Sequence, residues 1–554
     1  MVLLITKEVA AKASFSNKKK KMMKKIILFT GILFLTCNIN NLLAQGNEIE
    51  AFTHSNTELS GTARSMAMGG AFGALGGDIS ALSNNPAGLG IYRSSEIAGT
   101  FDLSMINTST NWSGTMNDKD KTHFNINNVG LVFYFPASSG NVNNWSLGFS
   151  YNRLKNYNRR YKMSSGGQAY SMSDYAASRA SNAFGEGSGI TIDELTVDGR
   201  YDPYFNSDLS GNWLSILGYE SGFFDNRPGR NDVYHSDFGN DPLNNTQLLV
   251  NESGYMDEYN LGFGMNISNF LYIGASASMT DIRYKYTSSF DESFNTASND
   301  YLYLDNWLTT EGSAFSFNIG AIANLQMLRL GLAYNSPRWY GMTDYFFAKA
   351  ETSVNGIEMW AETPEDQYSE YRFRTPGKWI LSGALVLGQS ALISADYELI
   401  NYKNMKFSDR DGWDDYMTND YINKDFTFAH TIKLGAEIKV APQFAVRAGY
   451  MMQTSPMQYR LANNDDEVLP SGTIPHFTVT SKPTSYFTVG FGYRFTPRFY
   501  MDLACVYRYN SSHAYAFSNM YHRDDSKEIS PVASEPASLK TKSTRVALTM
   551  GYKF

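Results

Sequence analysis

The chain has 554 residues, of which 14% are aromatic, and it contains 45 Gly, 37 Tyr and 35 Phe. A mean hydropathy of -0.34 excludes a bundle of membrane-spanning helices, and a net charge of -7 argues against nucleic acid as a partner. Chains that are rich in glycine and aromatic residues, with no long apolar run after the N-terminus, are typical of membrane β-barrels.

Residues 1–44 have the pattern of a secretory signal peptide. A lysine-rich region at 18–25 precedes the apolar stretch Ile26–Thr36, which is too short to cross a bilayer as a helix, and the small residue Ala44 follows. We expect cleavage after Ala44 and expect residues 1–21 to carry no fold. Cleavage there removes one of the two cysteines, so we expect no intramolecular disulfide in the mature chain.

Residues 45–93 are rich in Gly, Ala and Ser and lack the alternation of apolar and polar residues that follows. Small side chains permit tight packing in a confined space and sharp backbone turns. We predict that this segment folds as a plug, or hatch, inside a barrel lumen. A mobile leader ahead of the barrel is the alternative interpretation.

Residues 94–554 predict one large barrel. Segments of about ten residues alternate apolar and polar side chains, which is the period of a β-strand with one apolar face and the length that a tilted strand needs to cross a bilayer. Fourteen such segments lie at residues 97–105, 129–135, 145–151, 259–267, 271–287, 315–321, 328–334, 379–387, 393–399, 432–438, 444–450, 487–493, 501–507 and 546–554.

The connections between these segments alternate between short and long, as periplasmic turns and extracellular loops do in outer-membrane barrels. The largest is at about 158–254, and the other long connections lie at about 288–310, 336–377, 403–425, 454–483 and 511–542. An even number of strands lets the first and the last pair, which leaves no open edge in the bilayer. The chain ends on Phe554, a terminal aromatic residue typical of proteins that the barrel assembly machinery inserts.

The sequence therefore predicts an all-β fold: a 14-stranded antiparallel transmembrane β-barrel, multi-pass in the bacterial outer membrane, with an N-terminal hatch in the lumen. We expect outer-membrane lipid and lipopolysaccharide as its surroundings and the barrel assembly machinery as a partner during biogenesis. We expect no nucleic acid as a partner.

The N-terminal segment resembles that of the FadL/TodX family of transporters for hydrophobic compounds. Members begin with an Ala/Gly-rich stretch, an acidic residue and Asn-Pro-Ala-Gly, and this chain has Ala67–Ala71, Asp78 and the sequence NPAG at 85–88. Later segments at 329–334, 395–397, 447–450 and 489–494 are also similar. The resemblance implies a hatch that occludes the barrel and contains Asn85, Pro86, Ala87 and Gly88.

The resemblance also implies passive, hatch-gated diffusion of hydrophobic small molecules such as long-chain fatty acids, with exit sideways through the barrel wall. It implies no cofactor. Two other roles remain open. One is a structural or protein-secretion-associated barrel, since the PorV component of the type IX secretion system carries a similar Asn-Pro-Ala leader. The other is binding of haem or lipid without transport.

The longest insertion contains a dense apolar cluster in a predicted extracellular loop. Apolar residues on an outer surface are either packed or used for binding. A core within the loop itself is one interpretation, and a groove that captures hydrophobic ligands is the other. The ligand-binding candidates are Trp213, Leu214, Leu217, Phe223 and Phe224.

Strand alternation directs several charged residues toward the lumen. A charge-paired interior that supports the hatch is one interpretation of these residues, and a cation that binds a ligand carboxylate is the other. The lumen cation candidates are Arg329, Lys433, Arg447 and Arg494.

No catalytic motif is evident, so we expect no enzymatic activity. The seven His residues are scattered, without an HExxH motif or a spacing that would bind a metal. We therefore predict neither catalytic residues nor a metal site.

Overall fold

The computed structural model describes residues 47–137, 140–183, 188–197, 201–206, 209–238, 243–365, 367–388, 390–458, 474–480, 482–523 and 529–554. The predicted signal peptide, residues 1–44, lies outside these ranges. Within them, the chain forms a closed antiparallel barrel, an N-terminal segment inside it, and a cap of loops and strand extensions at one end.

Fourteen strands form the barrel wall in the part of the chain that the structure describes. They are β1 (Glu96–Trp112), β2 (Thr115–Pro136), β3 (Val142–Asn156), β4 (Leu243–Ile267), β5 (Leu271–Phe294), β6 (Tyr301–Leu325), β7 (Leu328–Asn335), β8 (Lys378–Leu387), β9 (Ala391–Asn401), β10 (Phe428–Ala441), β11 (Phe444–Gln453), β12 (Thr484–Arg494), β13 (Phe499–Tyr515) and β14 (Ala537–Lys553).

Each strand pairs antiparallel with its neighbour in sequence, and the last pairs with the first. The closing ladder between β1 and β14 runs from Glu96 opposite Lys553 to Asn111 opposite Ser538. Because the first and last strands pair, the sheet has no free end strand. The predicted strand number, direction and closure are confirmed.

The wall strands alternate between a buried inner face and an exposed apolar outer face. On β1, Ile97 and Leu103 are exposed, whereas Thr100 and Asp102 on the opposite face are buried. Exposed apolar side chains in a continuous band match the hydrocarbon of a bilayer. The barrel therefore spans the outer membrane as its sequence pattern predicts.

The two ends of the barrel differ in their connections. At the end where β1 begins, the wall strands are joined by tight turns, such as Ser268 to Phe270, where Ser268 and Asn269 adopt positive φ values of 54° and 57°. At the other end most connections are long and folded, although the two-residue turn Ser113–Gly114 joins β1 to β2 there. This asymmetry assigns the tight turns to the periplasm and the long connections to the cell exterior.

Several predicted loops are strands in the structure. β5 and β6 continue past the predicted end of the bilayer-spanning region and pair as far as Ser293 opposite Tyr301. The predicted loop at 336–377 contains Trp339–Val354, Ile357–Glu362 and Gln367–Arg374, and the insertion at 158–254 begins with the strand Arg159–Ser165. These extensions persist because their inward side chains are apolar and pack against the loops above the membrane.

The cap also contains short helices and small strands. The helices are Met172–Ser181, Ile192–Leu195, Trp213–Glu220 and Tyr416–Asp425, with 3-10 turns at Pro203–Phe205, Ser210–Asn212 and Tyr402–Asn404; the remaining strands are Phe224–Asn226, Tyr234–Ser236, Lys406–Asp409, Phe477–Val479, Met520–Arg523 and Ile529–Val532. Among the described residues, none of the helices has the length and apolar character needed to cross a membrane.

The N-terminal segment, residues 47–93, forms four short helices inside the lumen: Glu48–Ser55, Ala63–Ala67, and the 3-10 helices Ile79–Leu82 and Pro86–Ile91. Each begins with a polar side chain that accepts a hydrogen bond from the first turn, which satisfies an otherwise unpaired backbone amide. The capping residues are Asn47, Thr62, Asp78 and Asn85.

Glycine allows this segment to approach the wall closely. At Gly69, where φ is +63°, an added Cβ would lie only 2.9 Å from the backbone of Tyr450 on β11. Gly274 on β5 allows the reverse, because a Cβ there would lie 2.3 Å from the backbone of Pro86. Such contacts require the absence of a side chain on one of the two partners.

Candidate functional site

The sequence Asn85–Gly88 forms the start of a helical turn against β5 and β6. The Asn85 amide donates to the carbonyl oxygen of Gly73 at 2.7 Å and to that of Ala321 on β6 at 3.4 Å, while its Oδ1 accepts from the amide of Ala87 at 3.2 Å. Asn85 thus links two parts of the N-terminal segment to the wall. Gly88 packs against Gly76, where a Cβ would lie 2.6 Å away.

A second attachment of the N-terminal segment to the wall is ionic. Glu58 accepts from Arg508 on β13 at 2.6 Å and from Arg545 on β14 at 3.0 Å. Arg545 also donates to the carbonyl oxygen of Leu59 at 2.8 Å. We call Glu58, Arg508 and Arg545 the Glu58 clamp. Burial raises the pKa of Glu58, but the two guanidinium groups outweigh burial and hold the pKa below its ordinary value.

A third attachment is a chain of charges on the periplasmic side. Arg64, in the helix Ala63–Ala67, donates to both oxygens of Glu437 on β10 at 2.9 and 3.1 Å. Glu437 also accepts from Arg447 on β11 at 2.6 Å, and Arg447 donates to Asp502 on β13 at 2.6 Å. The cation Arg64 therefore completes a network that joins three wall strands to the N-terminal segment.

The lumen cation candidates occupy two different places. Arg329, Arg447 and Arg494 line a cavity of about 350 Å³ on the periplasmic side of the N-terminal segment, and Arg329 donates to the carbonyl oxygen of Leu75 at 2.9 Å. Lys433 lies elsewhere and pairs with Glu398 at 2.7 Å. Lys433 and Arg447 are ion-paired, which is the pattern expected of a charge-paired interior. A ligand role for any of the four stays a prediction.

The cavities described in the lumen are lined with charges. The periplasmic cavity contains ten charged side chains, and a cavity of about 120 Å³ nearer the cap is lined by Glu58, Lys155, Arg159, Glu252 and Arg508 among others. A third, of about 70 Å³, is lined by Arg338, Lys378, Glu398 and Lys433. Within the described residues, these cavities do not form an open apolar channel from the cap to the N-terminal segment.

The wall has an interruption between β2 and β3. Their ladder runs from Pro136 opposite Asn144 to Asn128 opposite Asn152 and stops there. β2 continues toward the cell exterior with β1 as its ladder partner among the described strands. The register also shifts on both sides of this point, in the β1–β2 and β3–β4 ladders.

The N-terminal segment lies directly behind this interruption. Asn127 of β2 donates to the sulfur of Met66 at 3.3 Å. Asn125 accepts from Arg153 of β3 at 3.1 Å, and Arg153 also pairs with Asp257 on β4 at 2.9 Å. Where the backbone ladder is missing, side-chain contacts therefore join β2 to β3. Other side-chain contacts join β2 to the segment in the lumen. No pattern in the sequence predicts this feature.

The five apolar loop candidates lie in the interior of the cap. Trp213 is 2% exposed and its ring centroid is 4.7 Å from that of Phe346 on the strand Trp339–Val354. Phe224 packs edge-on against Tyr234 at 5.2 Å. Leu214, Leu217 and Phe223 are also buried. This placement matches a core within the loop, and ligand contact by these residues stays a prediction.

Other apolar side chains of the cap face solvent, and three of them lie close together in the chain. Trp413 is 77% exposed, Tyr416 83% and Met417 65%. Because Asp411, Asp414 and other acidic residues are interspersed among them, the sequence pattern does not mark them as an apolar cluster. Their exposure makes them a second candidate for the first contact with a hydrophobic ligand.

A metal centre is not apparent: among the described residues, no group of three or more His, Cys, Asp or Glu side chains is arranged to hold a metal ion.

No protein-family model matches this chain, and no curated protein matches it. Among solved structures, it is similar to a FadL homologue from Pseudomonas aeruginosa at 12% identity, over 92% of this chain and 100% of that chain, with a TM-score of 0.49. The P. putida toluene transporter TodX aligns at 12% identity over 90% and 99% of the two chains, with a TM-score of 0.46.

The Ralstonia pickettii toluene transporter TbuX aligns at 12% identity over 90% of this chain and 99% of that chain, with a TM-score of 0.43. With such low identities and with TM-scores below 0.5, we draw no conclusion from these likenesses about what this chain binds.

Proposed function

We propose that this protein carries hydrophobic small molecules, such as long-chain fatty acids, across the outer membrane by passive, hatch-gated diffusion. The hatch is the N-terminal segment, including Asn85, Pro86, Ala87 and Gly88. The observation that carries the proposal is the interruption between β2 and β3, behind which the hatch lies. Movement of the hatch there would open a route from the lumen into the bilayer.

The charged lumen supports a sideways exit over passage into the periplasm. An apolar ligand gains about 25 cal/mol for each Å² that it removes from water. That gain is lost if the ligand enters a cavity filled with charged groups and their water, and desolvating those groups would cost more. The hydrocarbon outside the wall accepts the same ligand without that cost.

In this proposal the cap provides the first contact with the ligand. Opening of the cap would expose Trp213, Leu214, Leu217, Phe223 and Phe224 as an apolar surface. Arg329, Lys433, Arg447 and Arg494 would hold the interior together, and those not fully engaged would be available to a ligand carboxylate. The route needs no energy source other than the gradient of the ligand.

Tethering the hatch to the wall tests the proposal. A Met66→Cys/Asn127→Cys variant, joined by a short thiol-specific crosslinker, should lose uptake of a labelled fatty acid in a strain that lacks its own transporter. The two single cysteine variants treated with the same reagent are the matched controls and should retain uptake. Full uptake by the tethered barrel would refute the gate.

A second candidate is a structural or secretion-associated barrel that transports nothing. The charged lining of the three lumen cavities favours it. Binding of haem or lipid without transport is a related role, because it also predicts no uptake. In the same assay, a folded wild-type protein that supports no fatty-acid uptake would favour this candidate.

A further inference from the structure

Two neighbouring lysines project from the outer face of β14. Lys540 and Lys542 are exposed, while Leu539 and Thr541 between and beside them are buried on the inner face. Side chains two positions apart on a strand share one face and lie about 7 Å apart. The two ammonium groups therefore form a pair on the outside of the barrel, beside the seam where β14 meets β1.

The lysine pair lies immediately above the apolar band. Below it on the same face of β14 come Thr544, Val546 and Met550, of which Val546 and Met550 are exposed apolar residues. Lys542 is directly opposite Tyr509 on β13. Tyrosine is enriched at the boundary between hydrocarbon and headgroups. The pair is therefore at the level of the lipid headgroups on the cell-exterior side.

Some other outward charges of the extensions and the cap are paired with opposite charges. Arg283 lies 3.1 Å from Glu311, and Arg410 lies 2.9 Å from Glu370. Among the described residues, no carboxylate lies within ion-pairing distance of Lys540 or Lys542. Within the described ranges, the charge of the pair is therefore not neutralised by a neighbouring side chain.

Two acidic side chains of β2 on this face have other partners. Asp118 and Asp120 of β2 accept from Ser109 and Asn107 of β1, the latter at 2.9 Å. Ser109 and Asn107 lie opposite Lys540 and Lys542 on β1. The carboxylates are thus two strands away from the lysines, which corresponds to about 10 Å.

We infer that Lys540 and Lys542 bind the phosphate of an outer-leaflet glycolipid, with Tyr509 against the base of its headgroup. Cationic side chains near a membrane surface attract anionic headgroups. The height of the pair, its lack of an ion-pair partner within the described ranges and its continuity with the lipid-facing band all fit that occupant. The bound lipid would cover the seam between β1 and β14.

Native mass spectrometry can measure this binding on the intact, folded barrel. The probe is diphosphoryl lipid A, compared with the same acyl chains on a fully dephosphorylated backbone. We expect wild type to retain the phosphorylated form and Lys540→Gln/Lys542→Gln to retain it about thirtyfold less, which corresponds to two surface lysines. The variant should bind the dephosphorylated form as wild type does.

Lys285→Gln is the control, because Lys285 is an exposed lysine on the outer face of β5, a strand that takes no part in the seam between β1 and β14. It should leave retention unchanged, and heat-modifiable gel mobility should show that all variants are folded. Equal retention of phosphorylated lipid A by wild type and the double variant would overturn the inference. Displacement of the lipid by millimolar inorganic phosphate would overturn its assignment to a lipid and indicate a site for free phosphate.

Discussion

At the scale of single residues, the Glu58 clamp holds the hatch to the wall. Replacing Glu58 by Gln leaves Arg508 and Arg545 without their carboxylate, and removing one partner of a buried ion pair costs about 3 kcal/mol or more. We expect the Glu58→Gln hatch to dissociate more often, which should raise ion conductance in planar bilayers. Glu311→Gln removes an exposed ion pair of the outer face and should leave conductance unchanged. Equal conductance of the two variants would contradict a role for the clamp.

Acid should weaken the same attachment. Burial raises the pKa of Glu58, but Arg508 and Arg545 lower it further, so its folded-state value is below the ordinary one. A carboxyl group whose pKa is depressed in the folded state stabilises the protein at any pH above its ordinary pKa. This stability is lost as the pH falls through the folded-state pKa. We expect conductance of wild type to be constant near neutral pH and to rise only below the ordinary glutamate range. Glu58→Gln should lose this acid-dependent step, and its persistence would assign the step to another group.

The residues of the hatch could be predicted from the sequence only in part. Small residues and the sequence at 85–88 indicated a compact segment, and Asn85 does contact both the segment and the wall. Glu58 and Arg64 gave no such signal. Their partners on the wall are hundreds of positions away, so only the closed barrel brings the charges together.

At the scale of elements, the alternation of apolar and polar residues predicted every wall strand but not their outer ends. The expected length was that of a bilayer crossing, whereas β5 and β6 pair well beyond it. The alternation continues there with apolar residues facing inward, such as Tyr284 and Phe290. Above the membrane the inner face of the strands is apolar and the outer face meets water. A pattern that assumes an apolar face toward lipid therefore no longer predicts where the strands end.

The helix Trp213–Glu220 and the residues after it provide a test of the loop cluster. Trp213 and Phe223 are buried, and truncating a buried aromatic residue costs about 3–5 kcal/mol. Trp213→Ser/Phe223→Ser should therefore make the cap more sensitive to protease. If the cluster also contacts ligand, affinity for a fluorescent fatty acid should fall between about tenfold and several-hundredfold.

The matched variant for this test is Trp413→Ser/Tyr416→Ser, which removes two exposed aromatic residues from the same cap. It should leave protease resistance unchanged. Loss of affinity in this variant alone would move the capture site from the Trp213 cluster to Trp413 and Tyr416. Unchanged affinity in a folded Trp213→Ser/Phe223→Ser protein would reduce that cluster to a core of the loop.

At the scale of the whole molecule, the barrel has three regions of different polarity. The outer wall is apolar toward lipid, the cap has an apolar interior, and the lumen at membrane depth is polar and charged. The polarity of each region follows from its surroundings, which are lipid for the outer wall, packed protein for the cap interior, and water and paired charges for the lumen. The hatch separates the charged periplasmic cavity from the cap. Its ion pairs with the wall neutralise charged wall residues that would otherwise contact only water in the lumen.

Removing residues 47–93 from the mature chain tests whether this segment is the barrier. The ladder around the wall uses only strands β1 to β14, so the barrel should still form and retain heat-modifiable mobility. Its lumen would then contain water, and ion conductance should rise on the order of tenfold or more, toward that of an aqueous barrel channel. Uptake of a fatty acid should not rise in parallel, because the charged lumen does not accept an apolar chain. A folded barrel without the segment that conducts no better than wild type would show that the cap, and not the hatch, closes the lumen.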